Sequence, residues 1–287
     1  MSVKQLLLPV ILATIIGIAF GAYTARNTHT AAQETVLEHV QKTGVLRCGY
    51  ALEVPNLMVD PNTKKVYGVA PDIIERAAEM LGWKVEWTEQ VGWSDMPAGL
   101  QAGRYDIACV GKWIYAPETK GAEFTMPLFY SAMYAYGRAD ETRIDEKLGN
   151  LNSADFAIAT IDGDVNYYMV RDRFSNTRRV EMPAMTDAGQ LILNLTTKKV
   201  DVIFMAAGEG DDYIKKHPGE IKRLTSKPVT VFDTAFMIKT GESGLAGVLN
   251  ATIRQMQSDG FINQVLDKYN TSPDAYLRLA KPYQLPN

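Results

Sequence analysis

The stretch that decides the fold runs from Arg104 to Tyr130 and reads RYDIACVGKWIYAPETKGAEFTMPLFY. Its apolar run Ile107–Val110 follows a charged segment and is typical of a strand covered on both faces. Gly111 ends that run, at a point where the chain can turn and a ligand can approach the backbone. Because ligands of open α/β sheets bind at the carboxyl ends of strands, we expect the residues after Gly111 to border a binding site.

Strands alternate with helices on both sides of this stretch. Val45–Tyr50 predicts a strand, and Asp72–Leu81 carries apolar residues at helical spacing before a glycine. Further along, Phe156–Thr160 and Val200–Met205 predict strands, with a helix between them at Ala188–Thr197. Alternation of this kind favours an α/β fold with mostly parallel sheets.

Six motifs occur in the order found in one protein family. The pattern E-F-T-x-P-L-F-Y at Glu123–Tyr130 resembles the lobe-crossing segment of extracellular solute-binding proteins of family 3, the type II periplasmic amino-acid-binding proteins. Further motifs of that family stand at Gly44–Tyr50, Gly68–Ile74, Leu100–Asp106, Lys199–Ile203 and Ser258–Ile262. The resemblance covers roughly residues 44–270.

The resemblance implies an α/β fold in the form of a two-lobe type II periplasmic-binding-protein clamp. Each lobe would be a mostly parallel sheet flanked by helices, and two hinge crossings would lie near Ser131–Gly137 and Phe232–Lys239. Lobe 1 would comprise residues 44–135 and 232–287, and lobe 2 residues 136–231.

The N-terminal segment predicts export. Leu6–Ala22 is uncharged and apolar and follows Lys4, with a length between that of a signal peptide and that of a membrane span. Residues 1–22 are therefore expected to be a signal peptide or a retained signal anchor, and residues 23–43 a polar linker. We expect a protein at the periplasmic or extracellular face, with membrane contact only through this segment.

The chain contains two cysteines, Cys48 and Cys109, each in a predicted strand. The resemblance places those strands side by side. An oxidising compartment permits a disulfide, but direct cross-strand geometry is often strained. Two buried free thiols are therefore the expectation.

Composition and motif content exclude several function classes. A formal net charge of −3 gives no general attraction to nucleic acid. His29, His39 and His217 lie in the linker or in a predicted exposed turn, so no histidine-based triad or metal site is expected. No Gly-rich phosphate loop follows a strand. We predict no cofactor, no metal and no catalytic residue.

The ligand positions depart from the amino-acid-binding pattern that the resemblance implies. The arginine that clamps a ligand's α-carboxylate would stand at Glu118 or Thr119, with Lys120 nearby. The acid that receives the α-amino group would stand at Ala206. The helix start that should receive the carboxylate reads Gly163-Asp164 and therefore carries an acid of its own.

These positions offer an aromatic and acidic site instead. The candidate ligand-binding residues are Glu53, Trp93, Gly111, Lys112, Trp113, Tyr115, Glu118, Lys120, Gly163, Asp164 and Ala206. Core packing explains Trp93 equally well, and Lys112 could be a rim charge. A solvated loop charge is the alternative for Glu53 and Glu118, and a plain helix N-cap is the alternative for Asp164.

The expected function is capture of a small molecule between two lobes, as the exported solute-binding subunit of an ABC importer of amino-acid-like or related solutes. The resemblance implies a permease and an ATPase as partners. A periplasmic dehydratase of the cyclohexadienyl or arogenate type on the same fold is one alternative, and a membrane-anchored sensory module is another. Loss of the arginine clamp predicts weak binding of ordinary α-amino acids, and the aromatic and acidic residues suit a cation.

Overall fold

The structure is a computed structural model that describes residues 34–280. The predicted signal segment 1–22, residues 23–33 of the predicted linker and residues 281–287 of the predicted lobe 1 lie outside the described residues. Within residues 34–280, no helix combines the length and the apolar character that a bilayer crossing requires.

Helices and strands alternate along the described residues. The helices are α1 Val36–Thr43, α2 Val69–Met80, α3 Met96–Gln101, α4 Val165–Arg173, α5 Ala188–Thr196, α6 Ala207–Lys216, α7 Ser243–Ser258 and α8 Phe261–Lys268. The strands are β1 Val45–Tyr50, β2 Met58–Val59, β3 Val66–Tyr67, β4 Lys84–Gln90, β5 Ile107–Trp113, β6 Glu123–Phe124, β7 Phe129–Arg138, β8 Ala157–Ile161, β9 Arg178–Met182, β10 Ile203–Ala206, β11 Ile221–Arg223 and β12 Thr230–Ile238. Short 3-10 turns follow β4 at Trp93–Asp95 and β5 at Ala116–Lys120.

One sheet connects the two lobes. β4, β1 and β5 pair in parallel in the first lobe, and β12 joins β5 in the antiparallel sense. β7 pairs with β12 through residues 129–133 and with β10 and β11 through residues 133–138. In the second lobe β8 and β9 form a parallel pair. The long strands β7 and β12 are thus the two crossings, and the predicted two-lobe α/β clamp is confirmed.

The last part of the predicted linker is a helix packed on the first lobe. Thr35 and Glu38 form a capping box at the start of α1, which fixes where the helix begins. Val40 is fully buried, and Glu242 accepts a hydrogen bond of 3.0 Å from the Val36 amide. The predicted linker therefore ends in a helix that packs on the first lobe.

The expectation of two free thiols is wrong. Cys48 and Cys109 form a disulfide between β1 and β5, with their Cα atoms 5.4 Å apart. The parallel register pairs Cys48 with Ile107, so Cys109 lies one pleat further along β5 on the same side of the sheet. The sequence contains no signal for this register, because it depends on how the two strands are aligned in the sheet.

Removing the disulfide should lower the free energy of unfolding by about 4 kcal/mol, because the bond closes a long loop in the unfolded chain. The sequence separation of the two cysteines is 61 residues. Urea unfolding of the Cys48→Ala/Cys109→Ala double variant measures the loss, and reduction of the wild type should reproduce it. Equal midpoints for the oxidised and reduced wild type would contradict the bond.

Candidate functional site

A cavity of about 50 Å³ lies between the two lobes. The first lobe contributes the loop after β1, the 3-10 turn after β4 and the end of β5. The second lobe contributes the ends of β8 and β10 and the first turns of α4, α5 and α6. On the same measure one buried water needs about 10–15 Å³, so the space suits a molecule of few heavy atoms.

Strand β5 runs further than the sequence predicts and carries Lys112 into the cavity wall. The strand continues to Trp113 because β12 pairs with this end of it, joining Ala235 to Lys112. Lys112 is only 2% exposed, so it does not lie at the rim. Its Nζ donates a hydrogen bond of 2.9 Å to the Gly163 carbonyl and lies 5.3 Å from the centre of the Trp93 ring.

Gly111 holds the neighbouring loop against β5. A side chain at Gly111 would place its Cβ 2.6 Å from Nδ2 of Asn56. The absence of that Cβ lets Asn56 reach the strand, and Asn56 Nδ2 then donates a hydrogen bond of 3.0 Å to Glu53. Gly111 therefore acts on the site by positioning Glu53.

Three half-buried carboxylates line the cavity: Glu53, Asp164 and Glu209. Burial raises the pKa of Glu53 to about 7, and the charge of Asp164 adds to the shift. Burial also raises the pKa of Asp164, against the opposing effect of Lys112. Burial raises the pKa of Glu209 well above its ordinary value, and Glu53, Asp164 and Asp187 add to the shift by repulsion. These groups are close enough to affect one another's ionisation.

Two tryptophans form aromatic surface at the site. Trp113 stacks on Phe232 with ring centres 5.0 Å apart, and Trp93 packs beneath Lys112 while remaining only 9% exposed. Both line the cavity. Trp93 therefore belongs to the core and to the cavity wall at once.

Polar contacts between the lobes in the described residues include three on the side of the cavity where the loops of the first lobe meet α4 and the segment before α5. The Trp93 amide donates a hydrogen bond of 3.1 Å to the Ala184 carbonyl, and Lys112 Nζ donates one to the Gly163 carbonyl. The Tyr115 hydroxyl donates a hydrogen bond of 2.7 Å to the Asp172 carboxylate. These contacts join loops of the first lobe to α4 and to the segment before α5, so the cleft is in a closed arrangement.

The structure brings most of the candidate residues together. The members of the cavity lining are Glu53, Trp93, Gly111, Lys112, Trp113, Asp164 and Ala206. Gly163 meets Lys112 through its carbonyl. Tyr115 instead stacks on Tyr168, with ring centres 5.3 Å apart, at the contact between the lobes. Lys120 is exposed on the 3-10 turn outside the lining, and the Glu118 side chain lies outside the described part of the structure.

Glu209 and Asp187 are site residues that sequence reasoning missed. The sequence analysis assigned no helix after the strand Val200–Met205, but α6 begins at Ala207 directly after β10. Its first turn carries Glu209 to the cavity wall, three residues beyond Ala206. An acid in the first turn of a helix that follows a strand is the signal that could have identified it.

A cleft between two α/β lobes, closed over a small polar cavity, defines a ligand-binding clamp. The chain belongs to the bacterial extracellular solute-binding proteins, family 3, whose family model matches residues 46–272. It is 25% identical over 236 residues to a probable amino-acid ABC transporter-binding protein of Haemophilus influenzae, covering 80% of this chain and 86% of that protein.

Solved structures share the fold. An ancestral amino acid-binding protein, a precursor of cyclohexadienyl dehydratase, matches with a TM-score of 0.72 and 21% identity over 82% of this chain and 99% of its own. The cysteine-binding protein of Campylobacter jejuni matches with a TM-score of 0.73 and 16% identity over 85% of this chain and 100% of its own. At these identities the likeness concerns the fold alone.

Gly163→Ala should hold the cleft open. The added Cβ would lie 2.3 Å from the Ser94 backbone nitrogen across the cleft, too close for the lobes to meet as they do. We expect a larger radius of gyration by small-angle scattering with a saturating ligand present, the condition in which the parent protein is closed. Gly219→Ala is the matched control, because Gly219 also has positive φ but open space around it. Equal radii for the two variants would contradict the closed arrangement.

Glu209→Gln should stabilise the ligand-free protein at pH 8. A carboxyl group whose pKa is raised by folding stabilises the fold while neutral and loses that contribution as the pH rises above its ordinary value, 4.5 for Glu209. The neutral amide avoids the loss, so the melting temperature should rise at pH 8 and change little at pH 5. Asp162→Asn, at an exposed acid outside the lining, should show no such difference. A lower melting temperature of Glu209→Gln at pH 8 would contradict the raised pKa of Glu209.

Proposed function

We propose that this protein is the exported capture subunit of an ABC importer and binds a small amino-acid-like or related solute between its lobes. The observation that carries the proposal is a cavity whose wall is built by both lobes of a family 3 fold. The proposed division places residues 44–135 and 232–287 in lobe 1 and residues 136–231 in lobe 2. The crossings β7 and β12 would then contain the hinge.

Closure of the lobes supplies the mechanism. In the open form the cavity walls separate, and a solute enters against one lobe. In the closed form both lobes surround the solute, and Trp93, Lys112 and Tyr115 of the first lobe contact the second lobe. A solute that contacts both walls makes all of its contacts only in the closed form. It therefore binds the closed form more tightly and shifts the population toward closure.

The proposed partners are a membrane permease and its ATPase. The relative from Haemophilus influenzae is described as a probable binding protein of an amino-acid ABC transporter, which supports this assignment. Export would place the protein at the periplasmic or extracellular face, where a permease could receive the closed clamp.

One observation favours a dehydratase as the second candidate. Glu53 lies at the cavity and its pKa is raised to about 7, a value suited to a general acid at neutral pH. A fold neighbour is described as a precursor of cyclohexadienyl dehydratase. We expect no reaction, because the family is one of binding proteins. Incubation with prephenate or arogenate tests this, and a decarboxylated aromatic product would establish the enzyme instead.

Ligand binding should close and stabilise the clamp. A solute at 100 times its Kd should raise the free energy of unfolding by about 2.7 kcal/mol, since only the folded state binds it. Thermal-shift screening of amino acids, amines and short peptides finds the solute, and small-angle scattering should then show a smaller radius of gyration. A saturating solute that leaves the scattering unchanged would contradict capture by lobe closure.

A further inference from the structure

Two unpaired polar groups in the described lining of the cavity are acceptors. Asn166 lines the cavity and is only 4% exposed. Its Nδ2 donates a hydrogen bond of 3.3 Å to the Phe204 carbonyl, which fixes the orientation of the side-chain amide. Its Oδ1 has no hydrogen-bond partner within residues 34–280. Within the same residues the Glu209 carboxylate receives no hydrogen bond. A ligand that satisfies both groups must donate hydrogen bonds.

The charges of the cavity wall are far from balanced. Its ionisable groups in the described residues are four carboxylates, on Glu53, Asp164, Asp187 and Glu209, and one ammonium, on Lys112. The formal charge is therefore −3 when all are ionised. Lys112 is already engaged, since it binds the Gly163 carbonyl and offsets charge on Glu53 and Asp164. The wall lacks compensating positive charge.

The helix N-termini at the cavity do not offer an anion site. A helix N-terminus normally attracts an anion through its free amides and its dipole. Here the Asp164 side chain caps α4 and accepts a hydrogen bond of 2.8 Å from the Asn166 backbone amide. The Asp187 side chain caps α5 and accepts a hydrogen bond of 2.9 Å from the Gln190 backbone amide. Glu209 occupies the first turn of α6. Three acids of the chain itself thus stand where a ligand carboxylate would bind.

We infer that the solute is a small organic cation, a primary amine or diamine without a carboxylate, whose ammonium group is received by Glu209 and Asn166 Oδ1. The inference rests on the proposed function and names its substrate class. The ammonium donates to the two unpaired acceptors and offsets the charge of Glu53 and Asp187. Apolar residues of the second lobe, including Leu191 and Met205, surround the short aliphatic part. The cavity of about 50 Å³ favours a short chain.

Binding of such a cation is coupled to proton release. The ligand-free wall holds Glu53, Asp164 and Glu209 with raised pKa values, and Tyr276, whose hydroxyl is buried behind them, has its pKa raised by burial and by the charges of Glu53 and Glu209. A bound ammonium favours the ionised carboxylates. Affinity for the amine should therefore increase as the pH rises from 6 to 8, while the amine itself stays protonated.

Matched pairs of solutes that differ by one carboxylate test the inference. Isothermal titration at pH 8 compares ethanolamine with L-serine, cysteamine with L-cysteine, putrescine with L-ornithine, and agmatine with L-arginine. At least one amine should bind 10-fold or more tightly than its amino acid, with net proton release shown by buffers of different ionisation enthalpy. The inference is overturned if no amine binds or if each amino acid binds as tightly as its amine.

Glu209→Gln tests the receiving group. The variant keeps the shape of the side chain and should weaken the best amine by about 10- to 100-fold, the effect of a charged hydrogen bond. Asp162→Asn is the matched control and should leave the affinity unchanged. Because Glu209→Gln is expected to stabilise the ligand-free protein at pH 8, a loss of binding cannot be attributed to unfolding. Unchanged affinity in Glu209→Gln would overturn the assignment.

Failure of the inference and failure of the proposed function give different results. Binding of an amino acid with closure of the lobes would overturn the cation class and leave the capture function standing. Binding of an amine without any change in small-angle scattering would support the cation class and contradict capture by closure. If CaCl2 raises the melting temperature as much as the best amine does, the organic cation is overturned in favour of a metal ion.

Discussion

A buried ammonium, that of Lys112, joins the two walls of the cleft. Lys112 lies in the wall between the lobes, donates to the Gly163 carbonyl on the opposite lobe and packs over Trp93. A buried lysine requires negative charge nearby, and Asp164 and Glu53 provide it. Burial makes Glu209 costly to ionise and raises its pKa, and repulsion from those two acids adds to the shift. Lys112 therefore both joins the lobes and offsets part of the negative charge of the cavity wall.

Much of the fold could be predicted because its signals are local. The apolar run before Gly111, the strands and helices around it and the ordered motifs identified a two-lobe clamp, and the pairing of β7 with β12 agrees. The disulfide could not be predicted, since it depends on the register of β1 against β5. The extension of β5 to Trp113 depends on a partner strand more than a hundred residues later in the chain.

The candidate site was predictable where a residue follows the end of a strand. Glu53 and Asp164 reach the cavity for that reason, and Trp113 reaches it as the last residue of β5. Glu209 was missed because it lies three residues beyond Ala206, and only the start of α6 at Ala207 shows that its side chain reaches the cavity. The fold thus positions the acids, and the identity of the residues at these positions sets the charge of the cavity wall.

The identity of the solute tests the account most directly. Native mass spectrometry of protein purified without refolding, followed by release of the bound molecule, reports its mass and functional groups. The account predicts a small amine that carries positive charge and no carboxylate, and whose occupancy falls when the protein is exchanged into buffer at pH 6. Recovery of an α-amino acid, or of an anion, as the bound species would contradict the account.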